Sequence, residues 1–202
     1  MELEIEDEYK TVESICQGIY KEKGSKFIAF VHPIDSENDV KGIVDDYKKR
    51  LFDARHHCYA YQLGINGDVF RENDDGEPSG TAGKPIHGQI KSFGITNVLI
   101  VVVRYFGGVK LGVGGLINAY KQAALDAINQ SVIVAKTINS LYNVTFGYFQ
   151  LNDVMKLVKE NDIQVINQTF ELSCEMTISL RLSKQNAILE KLQKIEGLTV
   201  KH

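Results

Sequence analysis

Residues 98–116, VLIVVVRYFGGVKLGVGGL, carry the signal on which the fold of the first half of the chain depends. The run from Val98 to Val103 is apolar and rich in β-branched residues, which is typical of a strand buried on both faces. Five glycines follow, and apolar residues then recur at helical spacing from about Gly115 to Asn129. The pattern predicts a buried strand, a glycine-rich turn and a helix whose small inward residues allow close approach to a sheet.

The same turn predicts an anion-binding site. The first amides of a helix lack intrahelical acceptors, and the helix dipole favours negative charge beside them. Gly112, Gly114 and Gly115 permit a ligand to approach the backbone, and Arg104 and Lys110 flank the turn. The glycine spacing matches neither a P-loop nor a dinucleotide-binding fingerprint. The site is therefore predicted to bind an anion that the spacing does not identify.

Positive charge is concentrated around this turn. The chain has a formal net charge of −3, but residues 84–136 hold six cations and one acid, Asp126. The cations are Lys84, Lys91, Arg104, Lys110, Lys121 and Lys136. Local charge matters more than the total for nucleic-acid or phosphate partners. The segment predicts a basic surface, unless folding interleaves it with acids from elsewhere, and both interpretations stay open.

Strand and helix patterns extend on both sides of this stretch. Residues 12–16 and 27–31 read as two strands of a hairpin with a polar loop at 21–25. Ser36 with Asp39 three residues later predicts the N-cap of an amphipathic helix over 37–52, and 58–65 alternates like a strand. From about residue 138 the chain reads strand–helix–strand twice, which is typical of a ferredoxin-like βαββαβ domain. We therefore predict an α+β protein with domains over 1–136 and 137–202.

A second glycine-rich stretch, residues 73–85, predicts a turn followed by a helix from Pro85 to about Ser92. Its acids do not have the spacing of a calcium loop, and Ser79 lacks the flanking glycines of a nucleophile elbow. In the strand that follows residue 55, His56 and Cys58 share one face and His57 takes the other. A histidine and a cysteine two residues apart, with no second pair of potential ligands elsewhere, favour neither a metal site nor a cofactor site. Nothing in the spacing selects Cys58 with His87 as a catalytic pair.

Composition indicates a cytoplasmic protein. No apolar run reaches 18 residues, so no membrane span is expected, and the acidic N-terminus, MELEIEDE, is the reverse of a secretory signal. The three cysteines are odd in number and far apart, which fits a reducing compartment.

Residues 76–86, GEPSGTAGKPI, and 104–120, from Arg104 through Gly114 and Gly115 to Tyr120, closely resemble the signatures of the IMPACT family, bacterial YigZ type. The segment 56–61 resembles its histidine–cysteine–aromatic strand, although Asn118 and Val113 replace a common arginine and threonine. The resemblance implies a βαβ domain like the fourth domain of elongation factor G and a C-terminal domain like its fifth. It also implies a connection with translation, because the eukaryotic relatives dampen the starvation response that lowers initiation.

These observations support three hypotheses. In the first, the protein binds RNA or an RNA–protein surface such as the ribosome through Lys84, Arg104, Lys110 and Lys121. The amides of residues 112–116 form a further anion site, and Tyr105 or Phe106 stacks on a base. In the second, it is an enzyme that acts on a phosphorylated or carboxylated small molecule at the same site, with His56, His57 or Asp75 as acid–base groups. In the third, it is a regulator that binds another protein through the acidic N-terminal region.

Overall fold

The computed structural model describes residues 7–202 and contains both α-helices and β-strands. The strands are β1 (Glu8–Val12), β2 (Cys16–Glu22), β3 (Ser25–Pro33), β4 (His56–Leu63), β5 (Val69–Asn73), β6 (Val98–Tyr105), β7 (Ile133–Thr137), β8 (Asn139–Phe146), β9 (Gln164–Phe170), β10 (Cys174–Arg181) and β11 (Thr199–Lys201). The helices are α1 (Glu37–Arg50), α2 (Gly83–Phe93), α3 (Gly112–Asn129), α4 (Leu151–Glu160) and α5 (Gln185–Gln193). The predicted α+β class is confirmed.

Two compact units make up the chain: the first is Tyr9–Lys136, and the second is Thr137–His202 together with Asp7 and Glu8. The sequence placed these two N-terminal residues in the first domain. They belong to the second unit because the carboxylate of Asp7 accepts hydrogen bonds from Arg181 Nε at 2.9 Å, from its Nη2 at 2.8 Å and from the Ser183 amide at 2.8 Å. The bonds from Arg181 also hold the pKa of Asp7 well below its usual range.

The first unit is built on a five-stranded antiparallel sheet in the order β2-β3-β6-β4-β5. Strands β3 and β4 both run antiparallel to β6, which lies between them, so the βαβ unit formed by β3, α1 and β4 is split by the central strand. Helix α1 packs on one face of the sheet, and α2 and α3 pack on the other. Residues 98–104 of β6 are therefore buried, as the apolar run predicts, although the sheet is antiparallel.

Local sequence signals place α1 within two residues of its predicted end. The Asp39 carboxylate accepts a hydrogen bond from the Ser36 amide at 2.9 Å and another from the Asp35 amide at 3.1 Å. These bonds provide acceptors for the backbone amides at the start of the helix. The β2–β3 hairpin forms, but its first strand begins at Cys16 instead of Val12, because Val12 is the last residue of β1, a separate strand that pairs with β7. Strand β5 was not predicted, since its five residues do not alternate and none is buried.

The second unit contains a four-stranded sheet in the order β11-β8-β10-β9, and every neighbouring pair is antiparallel. Numbered along this unit, the order is 4-1-3-2, with α4 and α5 as the two connecting helices, which is the ferredoxin-like arrangement that the repeat predicts. Its core contains Val144, Phe146, Met176, Ile178 and Leu180.

Among residues 7–202, no helix is both long enough and apolar enough to cross a bilayer. Most of the acidic N-terminal region that the third hypothesis uses lies at residues 1–6, outside the described part of the chain.

Candidate anion-binding site

A cleft of about 540 Å³ opens in the first unit between the end of β6, the start of α3 and the loop before α2. Among the seven residues predicted to bind an anion, Arg104, Lys110 and Gly112 line it. The complete lining is Arg55, His56, Glu77, Pro78, Arg104, Phe106, Lys110, Leu111, Gly112, Val113 and Leu116. The fold thus joins the two glycine-rich stretches at one site.

Arg104 forms the floor of the cleft instead of standing on an open basic face. Only 6% of the residue is exposed, and its Nη1 donates to Glu77 Oε1 at 2.6 Å. The same Glu77 oxygen accepts a hydrogen bond from the Tyr120 hydroxyl at 2.8 Å. Within the described chain, Arg104 Nε has no hydrogen-bond partner. Buried guanidinium nitrogens are normally satisfied, so this one is an exception, but it is enclosed by the protein and does not reach the cleft.

The start of α2 already holds an anion, which is a side chain of the protein itself. Asp74 Oδ1 accepts from the Ala82 amide at 3.0 Å and the Gly83 amide at 2.8 Å, while its Oδ2 accepts from the Gly80 amide at 2.8 Å. The Ala82 and Gly83 amides at the start of α2 are therefore occupied by the protein itself and are not free for a ligand. The 74–83 loop is instead fixed by this carboxylate and positions Glu77 at the cleft.

The start of α3 carries no comparable internal carboxylate. Leu111 at the N-cap makes no side-chain capping hydrogen bond, and the first turn of this fully described helix contains no acid. The chain enters the helix at Gly112 with φ +72°, a conformation that favours glycine. Because Gly112 and Val113 line the cleft together with Arg104, the start of α3 and the buried guanidinium border one volume.

The helix begins three residues earlier than predicted, which changes the roles of two glycines. Gly114 and Gly115 lie in the first turn of α3 and are not among the described residues that line the cleft. A methyl group added at Gly114 meets no atom within 4 Å, so this position serves no close packing. The prediction that Gly114 precedes the helix is wrong, because the low helix propensity of glycine hides the true start in the sequence.

The other predicted cations are exposed but lie apart from the cleft lining. Lys84 occupies the first turn of α2, and Lys121 lies on the outer side of α3. Among the described residues, Lys110 lines the cleft, and Lys84 and Lys121 do not. Arg55, which sequence analysis did not single out, supplies a further cation there.

Of the three proposed acid–base groups, only His56 lines the cleft. Its Nδ1 donates to the Asp75 carbonyl oxygen at 2.8 Å, so in the neutral ring Nε2 carries the lone pair and lies 3.8 Å from Glu77 Oε1. His57 points to the opposite face, as the strand period predicts, and burial lowers its pKa. The Asp75 carboxylate is bonded to the His57 amide at 2.7 Å and to Lys48 at 3.0 Å, on that same α1 side.

Cys58 is buried below the cleft floor. Its thiol donates to the Asp74 carbonyl at 3.0 Å and lies 3.3 Å from the Tyr120 hydroxyl oxygen, and burial raises its pKa. His87 is bonded instead to Glu72 at 2.8 Å, so the catalytic pair of Cys58 with His87 does not form. A thiol of raised pKa is a poor nucleophile. No group of His, Cys, Asp and Glu residues suited to a metal ion occurs among the described residues.

Phe106 is the aromatic residue at the rim. It is 47% exposed, and the Arg104 guanidinium carbon lies 5.6 Å from its ring centroid. Tyr105 packs instead against the cluster under α1, and its hydroxyl donates to Asp53 at 3.2 Å. Of the two residues suggested for base stacking, Phe106 is therefore the one that the fold leaves available.

Comparisons with known proteins identify relatives over most of the chain. The family model described as the Impact N-terminal domain matches residues 23–128, which include every residue that lines the cleft. IMPACT family member YigZ of Escherichia coli is 34% identical over 172 residues, which are 84% of this chain and 84% of that protein. A crystal structure described as that of a hypothetical protein covers 97% of both chains with 30% identity and a TM-score of 0.72. The structure of the two-domain translational regulator Yih1 aligns with 65% of this chain and 50% of its own at 21% identity, with a TM-score of only 0.36.

Proposed function

Because the chain belongs to the IMPACT family, we propose that it is a translation-associated regulator that binds RNA, or an RNA–protein surface such as the ribosome, through the basic cleft. The observation that carries the proposal is the uncapped start of α3, which lines one cleft together with the cations Arg55, Arg104 and Lys110. Helix amides together with a guanidinium form a suitable site for a phosphate group. The role in translation comes from the family resemblance and is independent of this geometry.

The proposal assigns different contacts to different residues. Arg55, Arg104 and Lys110 meet phosphate in the cleft, and Phe106 stacks on a base at its rim. The exposed Lys84 and Lys121 contribute only outer contacts to a bound strand, because neither is part of the cleft lining among the described residues. Binding of this kind depends strongly on salt, since neutralised phosphates release counterions.

Lys110→Glu is expected to weaken RNA binding and flatten its salt dependence. The parent protein, with about three phosphate contacts, should show a log–log slope near −2 for single-stranded RNA, and loss of one contact should reduce the magnitude of that slope by about 0.7. Fluorescence anisotropy with a labelled oligonucleotide across a potassium chloride series measures both. Lys201→Glu, in the second unit, is the matched charge reversal and should bind like the parent. Salt-independent binding, or an unchanged slope in a folded Lys110→Glu protein, contradicts the proposal.

A second candidate function is supported by His56. Since Nδ1 is bonded to a carbonyl, Nε2 is held at the cleft as a proton acceptor, with the Glu77 carboxylate 3.8 Å away to stabilise the charged ring. This is the arrangement of a general base next to an anion site. The corresponding proposal is an enzyme acting on a phosphorylated or carboxylated small molecule.

His56→Ala distinguishes this candidate from simple binding. If the protein is such an enzyme, a turnover found by screening phosphorylated and carboxylated compounds should fall by at least about 10²-fold in the variant. Turnover that persists unchanged in His56→Ala comes from a contaminant or from other residues, and the enzyme proposal then fails. A bound anion that is not turned over leaves binding as the function.

A further inference from the structure

We infer that the cleft selects a phosphomonoester carried by a nucleotide, either free or at the end of an RNA chain, over the internal phosphodiesters of a strand. The inference rests on the proposed function, because it assumes that the cleft binds the phosphate of a nucleic-acid ligand. It specifies that ligand further by the shape, charge and lining of the cleft.

The shape of the cleft favours a ligand that terminates there. Its volume of about 540 Å³ falls within the range of small-molecule pockets, roughly 300–1,000 Å³. Surfaces that bind the interior of a single strand are instead grooves that follow several consecutive nucleotides. A concave site with its phosphate-binding groups on the floor accommodates the end of a chain more readily than its middle.

The charge of the lining matches a dianion. Arg55, Arg104 and Lys110 contribute three positive charges and Glu77 one negative charge, which leaves +2 before any protonation of His56. A phosphomonoester carries about −1.5 to −2 at pH 7, whereas an internal phosphodiester carries −1. Because Glu77 is paired with Arg104 and bonded to Tyr120, the +2 charge of the lining comes from Arg55 and Lys110, which are left for the ligand.

The apolar part of the lining suits the rest of a nucleotide. Pro78, Leu111, Val113 and Leu116 line the cleft with the phosphate-binding groups, and Phe106 stands at the rim. The Phe106 ring centroid lies 5.6 Å from the Arg104 guanidinium carbon. A base stacked on the other face of this ring lies at the edge of the cleft whose lining includes Arg55 and Lys110. A single nucleotide can therefore occupy both the phosphate-binding part and the apolar part of the cleft.

The test compares ligands that differ only in the terminal phosphate, using the full chain. One RNA decamer is prepared with a 5′-phosphate, with a 3′-phosphate and with hydroxyls at both ends, and adenosine monophosphate is compared with adenosine by calorimetry at constant ionic strength. We expect at least about tenfold tighter binding of a phosphorylated ligand than of its hydroxyl counterpart, since charge-assisted hydrogen bonds are lost with the phosphate. Lys110→Glu should abolish this preference, and Lys201→Glu should keep it.

The outcomes separate the inference from the proposed function. Equal affinity for phosphorylated and hydroxyl RNA overturns the inference and leaves RNA binding intact. Binding of adenosine monophosphate without binding of any RNA overturns the proposed function and supports a free nucleotide as ligand. Tighter binding of end-phosphorylated RNA than of adenosine monophosphate identifies the chain terminus as the source, and failure of every ligand overturns both.

Discussion

Glu77→Gln is expected to destabilise the first unit by about 3 kcal/mol, the lower end of the cost of breaking a buried ion pair. The side chains of Glu77 and Arg104 are only 4% and 7% exposed, so loss of the carboxylate charge leaves a buried guanidinium without a counterion. Hydrogen exchange of peptides from β6 reports on this unit separately from the other, and these amides should exchange about 100-fold faster. Added phosphate should recover more stability in the variant than in the parent, because the uncompensated Arg104 gains an anion.

Two further variants show whether the buried pair is the cause. Glu160→Gln removes the carboxylate of an exposed pair with Lys156 and should change stability by no more than about 0.5 kcal/mol. The double variant Glu77→Gln/Arg104→Met removes both charges and should regain most of the lost stability. If Glu77→Gln is as stable as the parent, Arg104 does not depend on this carboxylate and the described charge balance of the cleft is wrong.

Gly18→Ala is expected to cost about 3 kcal/mol or more, because it separates α3 from the sheet. A methyl group at this position in β2 would lie 2.2 Å from the Ala127 amide nitrogen and 2.7 Å from its Cα. These are backbone atoms of the helix, so relief requires displacement of the whole element instead of a side-chain rotation. Chemical denaturation of the variant, followed by exchange protection of α3 peptides, measures the loss.

Gly114→Ala is the matched control for this substitution. It adds the same methyl group to α3, where nothing lies within 4 Å, and the higher helix propensity of alanine should stabilise the protein by about 0.5 kcal/mol. Since Gly114 is not among the described residues that line the cleft, ligand binding should persist. A stable Gly18→Ala protein would mean that α3 does not pack as closely on β2 as the structure shows.

The sequence alone predicted those features that depend on neighbouring residues. The apolar run at 98–103 identified the central strand, Ser36 with Asp39 identified the start of α1, and the repeated strand–helix–strand pattern identified the ferredoxin-like unit. The period of two in β4 also placed His56 and His57 on opposite faces. Each signal is local, because hydrogen bonding and burial within one element impose a short period on the sequence.

Only the tertiary structure decided which charges are available to a ligand. Asp74 occupies the start of α2, and Glu77 reaches Arg104 and Tyr120, which lie 27 and 43 residues away in the sequence. Residues so far apart along the chain have no shared period, and a carboxylate that binds an internal amide looks the same in the sequence as one that faces solvent. Charge composition therefore predicted a basic segment, but burial and pairing determine that Arg104 is bonded to Glu77, while Lys110 lines the cleft at the start of α3.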